Sequence, residues 1–313
     1  MRVTQGMITN TFKRDLNYNL RKLAKYQHQL ASEKRISRPS DDPVGVVHAL
    51  RLRTDLRDIG IYADNVDHAL SWLGGTEDAL FHATDILHRA SELAVEGANS
   101  TNPKEALNAI ADEVDQLLEH LLQMANSSQA GQYLFAGTKT KSVEDAGEVY
   151  TPFKLKYNDA GQPESVEYLG NEQSRATEIG AGVSFAYNIT GKEAFSMNND
   201  DDFAAFSSLI ELSSNLRAGD TDAISQSTIG EINRAKDRLV AVWAEVGAKV
   251  NRLEMTQSQL SSADINFSNL LSKTEDLDIA EATVYLKAQE AVYRAALATG
   301  ARIMQPTLID FLR

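Results

Sequence analysis

The residues best suited to holding a metal ion are His82, Asp85 and His88, which follow one another at intervals of three. Zinc sites need imidazole nitrogens and carboxylate oxygens that converge on one point. A repeat of three drifts around a helix of 3.6 residues per turn, so these side chains do not share one edge. The spacing favours a solvated polar face, and we predict neither a metal site nor a bound cofactor.

Other candidates for chemistry are equally weak. The run Asn198–Asp202 has carboxylates but not the spaced ligands, glycine and final glutamate of a calcium loop. We expect a charged turn in which Asp202 caps the helix that follows. The tryptophans, Trp72 and Trp243, fit burial within a helical bundle better than ligand binding. No phosphate-binding glycine loop, nucleophile elbow or Ser/His/Asp arrangement stands out, so we predict that the protein is not an enzyme.

Composition narrows the class of protein. The chain has 313 residues, of which 42% are hydrophobic and 24% charged, and its net charge is −13. These values are ordinary for a folded protein, and the acidic balance argues against nucleic acid as a partner. The absence of cysteine excludes disulfides and thiolate chemistry. No apolar run approaches the roughly 20 residues needed to cross a bilayer, so no membrane partner is expected. Met1–Ile8 also lacks the pattern of a cleaved secretory signal.

Two long helical patterns carry an apolar residue at every seventh position. This repeat keeps one apolar stripe on one side of a helix and requires a partner helix along its length. The first stripe comprises Leu52, Ile59, Val66, Leu73, Leu80, Leu87 and Ala94. The second comprises Ile232, Leu239, Val246, Leu253, Leu260 and Phe267. Such stripes are typical of rods and assemblies.

Capping residues predict where the helices begin. Asp42 is placed to cap a helix with Pro43 in its first turn. We expect that helix to continue to about Ala98, because the repeat of seven passes through Gly74–Gly75 without a shift. Asn102 is the expected cap of the next helix, which a short turn folds back antiparallel on its predecessor.

The middle of the chain has a different character. Residues 136–200 are rich in turn residues and aromatics, with extended stretches at Val149–Tyr157, Ser165–Leu169 and Val183–Ile189. The predicted fold class is mainly α: a long antiparallel helical bundle built from both chain ends, with a small inserted β-rich domain. We divide it into terminal coiled-coil segments (1–42 and 270–313), a helical core bundle (43–135 and 203–269) and the inserted β-rich domain (136–202).

The two terminal segments have sparse apolar stripes and many small residues. Neither has enough apolar surface to fold alone, so we expect them to pair with each other and with copies of themselves. The predicted assembly interface comprises Phe12, Leu16, Leu20, Leu23, Leu30, Ile279, Leu286, Tyr293, Leu297, Met304 and Phe311.

Five short motifs, in order on either side of a variable middle region, resemble sequences of the bacterial flagellin superfamily. Residues 35–45, RISRPSDDPVG, resemble the junction between its terminal and core helices. Residues 131–138, GQYLFAGT, resemble the exit from its helical core. Three C-terminal motifs complete the match: VGA at 246–248 with NRL at 251–253, DLDIAEA at 276–282, and QPTLIDFL at 305–312. Within the superfamily, the YLFAGT passage and the chain's ending are similar to the hook-associated protein 3 type.

This resemblance implies a structural subunit that connects the flagellar hook to the filament through coiled-coil packing of its terminal helices. It also implies an extracellular protein that is exported unfolded through the flagellar type III channel. The expected partners are copies of the chain in a ring or helical layer, the neighbouring junction protein, filament flagellin, and an export chaperone at the C-terminal region. Two alternatives remain open: a filament flagellin, and a coiled-coil secreted interaction or translocator protein.

Overall fold

In the computed structural model, the described residues are 5–140, 150–158, 161–197 and 203–303. They form two compact units. One comprises residues 1–58 and 262–313 and is called the end unit here; the other comprises residues 59–261 and is called the central unit. The mainly helical fold with an inserted sheet-containing region confirms the predicted fold class. The predicted three-part division of the chain stays a prediction.

Eight α-helices account for most of the described chain. They are α1 (Gln5–Ser32), α2 (Pro43–Gly97), α3 (Lys104–Ala125), α4 (Gly191–Phe195), α5 (Ala204–Ala218), α6 (Thr221–Ala223), α7 (Ile229–Glu275) and α8 (Ile279–Ile303). A π-helical turn, Ile224–Thr228, joins α6 to α7.

The six described strands form three separate antiparallel pairs. They are β1 (Ser128–Gln129) with β2 (Gln132–Tyr133), β3 (Phe153–Tyr157) with β4 (Pro163–Tyr168), and β5 (Ala176–Gly180) with β6 (Val183–Ala186). Each pair is a hairpin between strands that are consecutive in the sequence. The β-rich region is therefore built from local pairings that depend on helices for a core.

Helix α2 begins and continues as the sequence predicts. The backbone N–H of Gly45 donates to Asp42 Oδ1 at 3.0 Å, which is the expected cap. The helix passes through Gly74–Gly75 without a break. A Cβ on Gly75 would lie 2.6 Å from Gln129 Oε1, so this glycine permits the β1–β2 hairpin to approach the helix closely.

The predicted cap of α3 is wrong. Helix α3 begins at Lys104 with Pro103 at the capping position, and no side chain bonds to its free N–H groups. Asn102 instead uses its amide Nδ2 to donate to Glu96 O at 2.7 Å, which closes the preceding turn. Asparagine side chains often bond to a neighbouring backbone group in a turn, and here that bond replaces the cap.

The core of the central unit joins the helices to the strand pairs. The stripe residues from Val66 to Ala94 on α2 and from Ile232 to Leu253 on α7 are all buried. Trp72 is 4% exposed and Trp243 packs partly buried against the same core, as predicted. Two side-chain hydrogen bonds join α2 to α7: Gln257 donates to Asp67, and Ser91 donates to Asn233. Residue numbers therefore rise along α2 as they fall along α7, so the two helices are antiparallel.

An aromatic cluster anchors the inserted region on this core. The ring of Phe153 lies 4.9–5.6 Å from those of Tyr168, Phe195, Phe203 and Phe206. Arrangements of this kind favour offset or edge-to-face contacts and bury much apolar area per residue. Strands too short to be stable alone are therefore held by aromatic packing against α4 and α5.

The predicted extended stretches are only partly strands. Within Val183–Ile189 the strand ends at Ala186, because the Asn188 side chain accepts from Arg175 N and donates to Gln173 O. Its pairing partner β5 was not predicted. Residue 149 and the charged turn 198–202, including the proposed cap Asp202, lie outside the described residues.

Candidate assembly surface

The two chain ends pair in the end unit through helices α1 and α8. On α1, positions 9, 12, 16, 19, 23, 26 and 30 are half-buried, at alternating steps of three and four. On α8, positions 282, 286, 289, 293, 296 and 300 repeat the same steps and include its two buried residues, Ala282 and Gly300. These steps are the heptad pattern of two helices that share a seam, so the predicted pairing of the terminal segments is present in a single chain.

Specific contacts fix the direction and register of this pair. A Cβ on Gly300 would lie 2.0 Å from Phe12 Cζ, so the helices approach closely at this end. Gln289 Nε2 donates to Asn19 Oδ1 at 3.1 Å, and the rings of Tyr26 and Tyr285 stack with centroids 5.9 Å apart. Residue numbers rise on α1 as they fall on α8, so the pair is antiparallel.

The hydroxyl of Tyr285 bonds to a carboxylate on its own helix. It donates to Glu281 Oε1 at 2.9 Å, and this bond to a carboxylate raises the pKa of Tyr285 above its ordinary value. The side chain is half exposed, so the bond orients the ring and contributes little to stability.

The predicted interface residues divide into two groups. Phe12, Leu16, Leu23, Leu30, Leu286 and Tyr293 are half-buried on the α1–α8 seam. Leu20, Ile279 and Leu297 are 45%, 54% and 43% exposed among the described residues. Met304 and Phe311 lie outside the described residues. The assignment of all eleven to an assembly interface stays a prediction.

A second row on α8 was missed in the sequence. Val284, Ala288, Ala291, Ala295 and Ala298 also follow steps of four and three, on the side of α8 away from α1, and all are exposed. We call these five residues the outer row. Val292 beside it is 50% exposed, and Met7 and Tyr18 on α1 are 59% and 54% exposed. The heptad spacing of small residues was the available signal.

A buried carboxylate ties together the segments that lead into the two helices. Glu275, the last residue of α7, is 4% exposed, and its Oε1 pairs with Lys34 Nζ at 2.5 Å and with Arg53. The backbone adds Arg35 N to Glu275 O at 2.7 Å and Leu277 N to Glu33 O at 3.0 Å. The α1–α2 and α7–α8 connections are therefore fastened to each other, which the sequence did not reveal.

The residues first considered for chemistry do not form a site. His82, Asp85 and His88 are all exposed on α2. Across the described ranges, no three His, Asp or Glu residues are grouped closely enough to hold a metal ion. Within the same ranges, no helix has the length and apolar character needed to span a membrane.

Comparison with known proteins finds similarity to flagellar proteins in both sequence and fold. Residues 3–140 match the model of the bacterial flagellin N-terminal helical region. A flagellin of Clostridium tyrobutyricum is 26% identical over 90% of this chain and 77% of its own length. The flagellar hook-associated protein 3 of Escherichia coli is 23% identical over 89% of both chains.

Solved structures with the same fold include hook-associated proteins. The hook-associated protein 3 of Legionella pneumophila superposes with a TM-score of 0.59 at 17% identity, covering 72% of this chain and 98% of its own. FlgL of Bacillus cereus gives a TM-score of 0.56 at 21% identity, covering 71% and 99%. At these identities the likeness shows the fold.

Proposed function

We propose that this chain belongs to the bacterial flagellin superfamily and that it is the junction subunit connecting the flagellar hook to the filament. A hook-associated protein 3 and an FlgL are among the similar solved structures, and a hook-associated protein 3 is among the relatives by sequence. The observation that carries the proposal is the pair α1–α8, which leaves apolar rows exposed after its own seam is filled.

The physical argument concerns the faces that remain uncovered. Val284 and Val292 are 66% and 50% exposed on a helix whose other side is packed against α1. Exposed apolar rows at heptad spacing are stabilised when another helix covers them. In a layer of copies each α1–α8 pair covers its neighbours, so the chain ends form an inner coiled-coil layer. This arrangement involves structural packing, and we assign no catalytic step to it.

The further partners follow from the same proposal. We infer that copies form a ring or helical layer contacting the neighbouring junction protein on one side and filament flagellin on the other. We also infer that the subunit reaches this extracellular site through the flagellar export channel without a cleaved signal peptide. A chaperone that covers the C-terminal region before export would keep the apolar rows of α8 from meeting those of other copies.

A deletion strain tests the function. Without this subunit, cells should still build hooks but release filament monomers into the medium, because the filament has no base. Electron microscopy of the cell surface and immunoblots of the medium measure the two outcomes. Filaments that remain attached in the deletion strain would contradict the proposal.

Filament flagellin is the second candidate, and one observation favours it. Flagellins of Clostridium tyrobutyricum and Bacillus subtilis are 26% and 25% identical, slightly above the hook-associated relative. The two functions differ in self-polymerisation. Under salting-out conditions a filament subunit forms long filaments alone, and a junction subunit does not.

A variant at an exposed predicted interface residue tests the surface. Leu297→Asp adds a charge to a side chain that is 43% exposed, so the chain should fold normally but fail to hold filaments, and motility should be lost. Val95→Asp is the matched control, because Val95 is 62% exposed on α2 in the central unit. Normal swimming of the Leu297→Asp strain would remove that residue from the interface.

A further inference from the structure

The two units of this chain differ sharply in charge. The end unit carries 17 Lys and Arg against 13 Asp and Glu, whereas the central unit carries 14 against 31. The whole chain is therefore acidic only because of its central unit. Opposite charges on different parts of one chain favour contacts in which the end unit of one copy meets the central unit of another.

Three basic residues of the end unit line a groove between α1 and the loop that follows it. The groove has a volume of about 380 Å³ and is lined by Arg21, Lys25, His28, Arg38 and Asp41 among others. We call it the basic groove. Its wall is fixed by Gln29, which is 8% exposed and whose Nε2 donates to Arg35 O at 2.8 Å.

Two guanidinium groups in the basic groove lack a counter-charge. Asp41 is already used: it pairs with Lys25 Nζ at 3.4 Å and accepts from Arg38 N at 3.1 Å. These bonds outweigh the effect of its partial burial and lower the pKa of Asp41, so it stays ionised. Arg21 bonds only to Asn17 O, and no acidic side chain in the described residues pairs with Arg21 or Arg38. Guanidinium groups bind carboxylates with two parallel hydrogen bonds.

A complementary row lies on α2 in the central unit. Asp64, Asp78 and Asp85 are separated by multiples of seven residues, and all three are exposed. We call them the acidic row. No ion pair or hydrogen bond from any of these three carboxylates is present within the described parts of the chain. Seven residues of helix rise about 10.5 Å, so the charges repeat along one side at that interval.

Basic residues on α1 are also separated by seven residues. Arg14 and Arg21 are seven residues apart and both are exposed. Arg14 lies outside the basic groove and pairs with Asp15 at 4.0 Å. Two helices whose charged rows share a repeat can align several pairs at once, as the flanking charges of coiled coils do. The guanidinium groups of Arg21 and Arg38 and the carboxylates of the acidic row are opposite in sign and unpaired within the described residues, which makes the acidic row a complement to the basic groove.

We propose that the basic groove of one copy binds the acidic row of a second copy. This proposal rests on the proposed function and specifies one contact within the layer. Because the groove and the row are different surfaces of the same chain, the contact is heterologous and propagates from copy to copy. Heterologous contacts build rings or open helices, which is the geometry that a junction layer requires.

A charge swap tests the contact in cells that make the protein. Arg21→Glu with Arg38→Glu places an acidic groove against an acidic row, and Asp78→Lys with Asp85→Lys places a basic row against a basic groove. Each double variant should retain filaments poorly, with the number of attached filaments falling about tenfold if each exposed pair is worth roughly 0.5–1 kcal/mol. The chain that carries all four changes should regain them, because it restores opposite charges.

Two controls separate this contact from general effects of charge. Arg51→Glu with Arg57→Glu changes the net charge equally, at exposed positions on α2 outside the groove, and should leave filament attachment intact. Circular dichroism of each purified variant checks that the chain is folded. If the fourfold variant fails while both double variants are folded, or if the double variants behave like the wild type, the proposed contact is wrong.

Cross-linking identifies the occupant of the groove. Arg38→Lys supplies an amine that a carbodiimide can join to a neighbouring carboxylate in isolated flagella. We expect a dimer of about twice 34.4 kDa, with the cross-link on Asp78 or Asp85 by mass spectrometry. A link only within one chain, or to another flagellar protein, overturns the proposal but leaves the junction function standing. Absence of the chain from the flagella would instead contradict the proposed function.

Discussion

Glu275 shows how one buried side chain can set the geometry of both chain ends. Its carboxylate is almost fully buried, whereas its partners Lys34 and Arg53 are 44% and 46% exposed. Loss of the negative charge would leave two neighbouring cations in repulsion, though water partly screens them. The residue therefore acts on the connections into α1 and α8 more than on the central unit.

Glu275→Gln tests this role. We expect the end unit to lose about 1–2 kcal/mol, since the buried charge pairing disappears and the cations are half solvated. Amide hydrogen exchange should speed up in α1 and α8 and stay unchanged in residues 107–121 of α3. Glu254→Gln, at an exposed position on the same helix, is the control. Unchanged exchange in α1 and α8 would show that Glu275 does not fasten the connections.

Tyr168 gives a second prediction at the scale of one residue. Its hydroxyl donates to Phe135 O at 2.8 Å, and burial raises the pKa of Tyr168 to about 12. In the unfolded chain a tyrosine loses its proton near pH 10, whereas in the folded chain it keeps it until about pH 12. Its contribution to stability is therefore complete below pH 10 and declines as the pH rises to 12.

The measurement is urea unfolding between about pH 8 and about pH 12, the range over which tyrosines titrate. The wild-type free energy of unfolding should fall more steeply above pH 10 than that of Tyr168→Phe. Below pH 10 the variant should be less stable by about 1 kcal/mol, because Phe135 O and Asn171 O lose their donor. Parallel curves for the two proteins would assign the alkaline loss to other groups.

Helix α8 has one face packed against α1 and another face that is exposed. Leu286 and Val284 lie on these two faces and allow each to be tested separately. Leu286 is half-buried on the seam with α1, whereas Val284 is 66% exposed in the outer row. Leu286→Asp should open the α1–α8 pair, at a cost of about 1–2 kcal/mol for the lost burial. Val284→Asp should leave the pair closed but prevent assembly. Hydrogen exchange in α1 and filament attachment distinguish the two effects, and equal exchange in both variants would contradict this division.

The long helices were predictable because their signal is repeated many times. The stripe from Leu52 to Ala94 keeps its phase through Gly74–Gly75, and α2 is continuous as expected. Asp42 is a cap as predicted, because its Oδ1 accepts from the backbone N–H of Gly45 three residues later. Asn102 was a wrong cap because Glu96 O lies within reach of its amide, and single-residue bonds of this kind depend on where a turn places its carbonyls.

The short strands and the connections were harder to predict, since long-range contacts create them. Strand β5 exists because β6 pairs with it, and Asn188 ends β6 by bonding across the hairpin. Likewise, Lys34 and Glu275 are 241 positions apart, and no local pattern marks them as partners. The sequence therefore indicated that the two terminal helices pair, but not how the connections hold them.

At the scale of the whole molecule, the apolar core is confined to the central unit. The continuous buried cluster runs from Val66 to Leu253, whereas the end unit has few fully buried side chains. A fragment of residues 59–261 should therefore unfold cooperatively on its own, with a urea midpoint close to that of the full chain. Circular dichroism monitors both transitions. A fragment that unfolds without a cooperative transition would show that the chain ends are needed for the central fold.

The exposure of the outer row of α8 predicts whether mutations in it are dominant or recessive. A large residue in place of Ala291 would spare folding and export, because that position is exposed in the single chain. In the layer that we propose, the altered copies would disrupt the packing of normal ones, so even a minority would harm swimming in cells that also make the normal protein. Such alleles should be dominant, whereas alleles that unfold the central unit, which are removed before export, should be recessive.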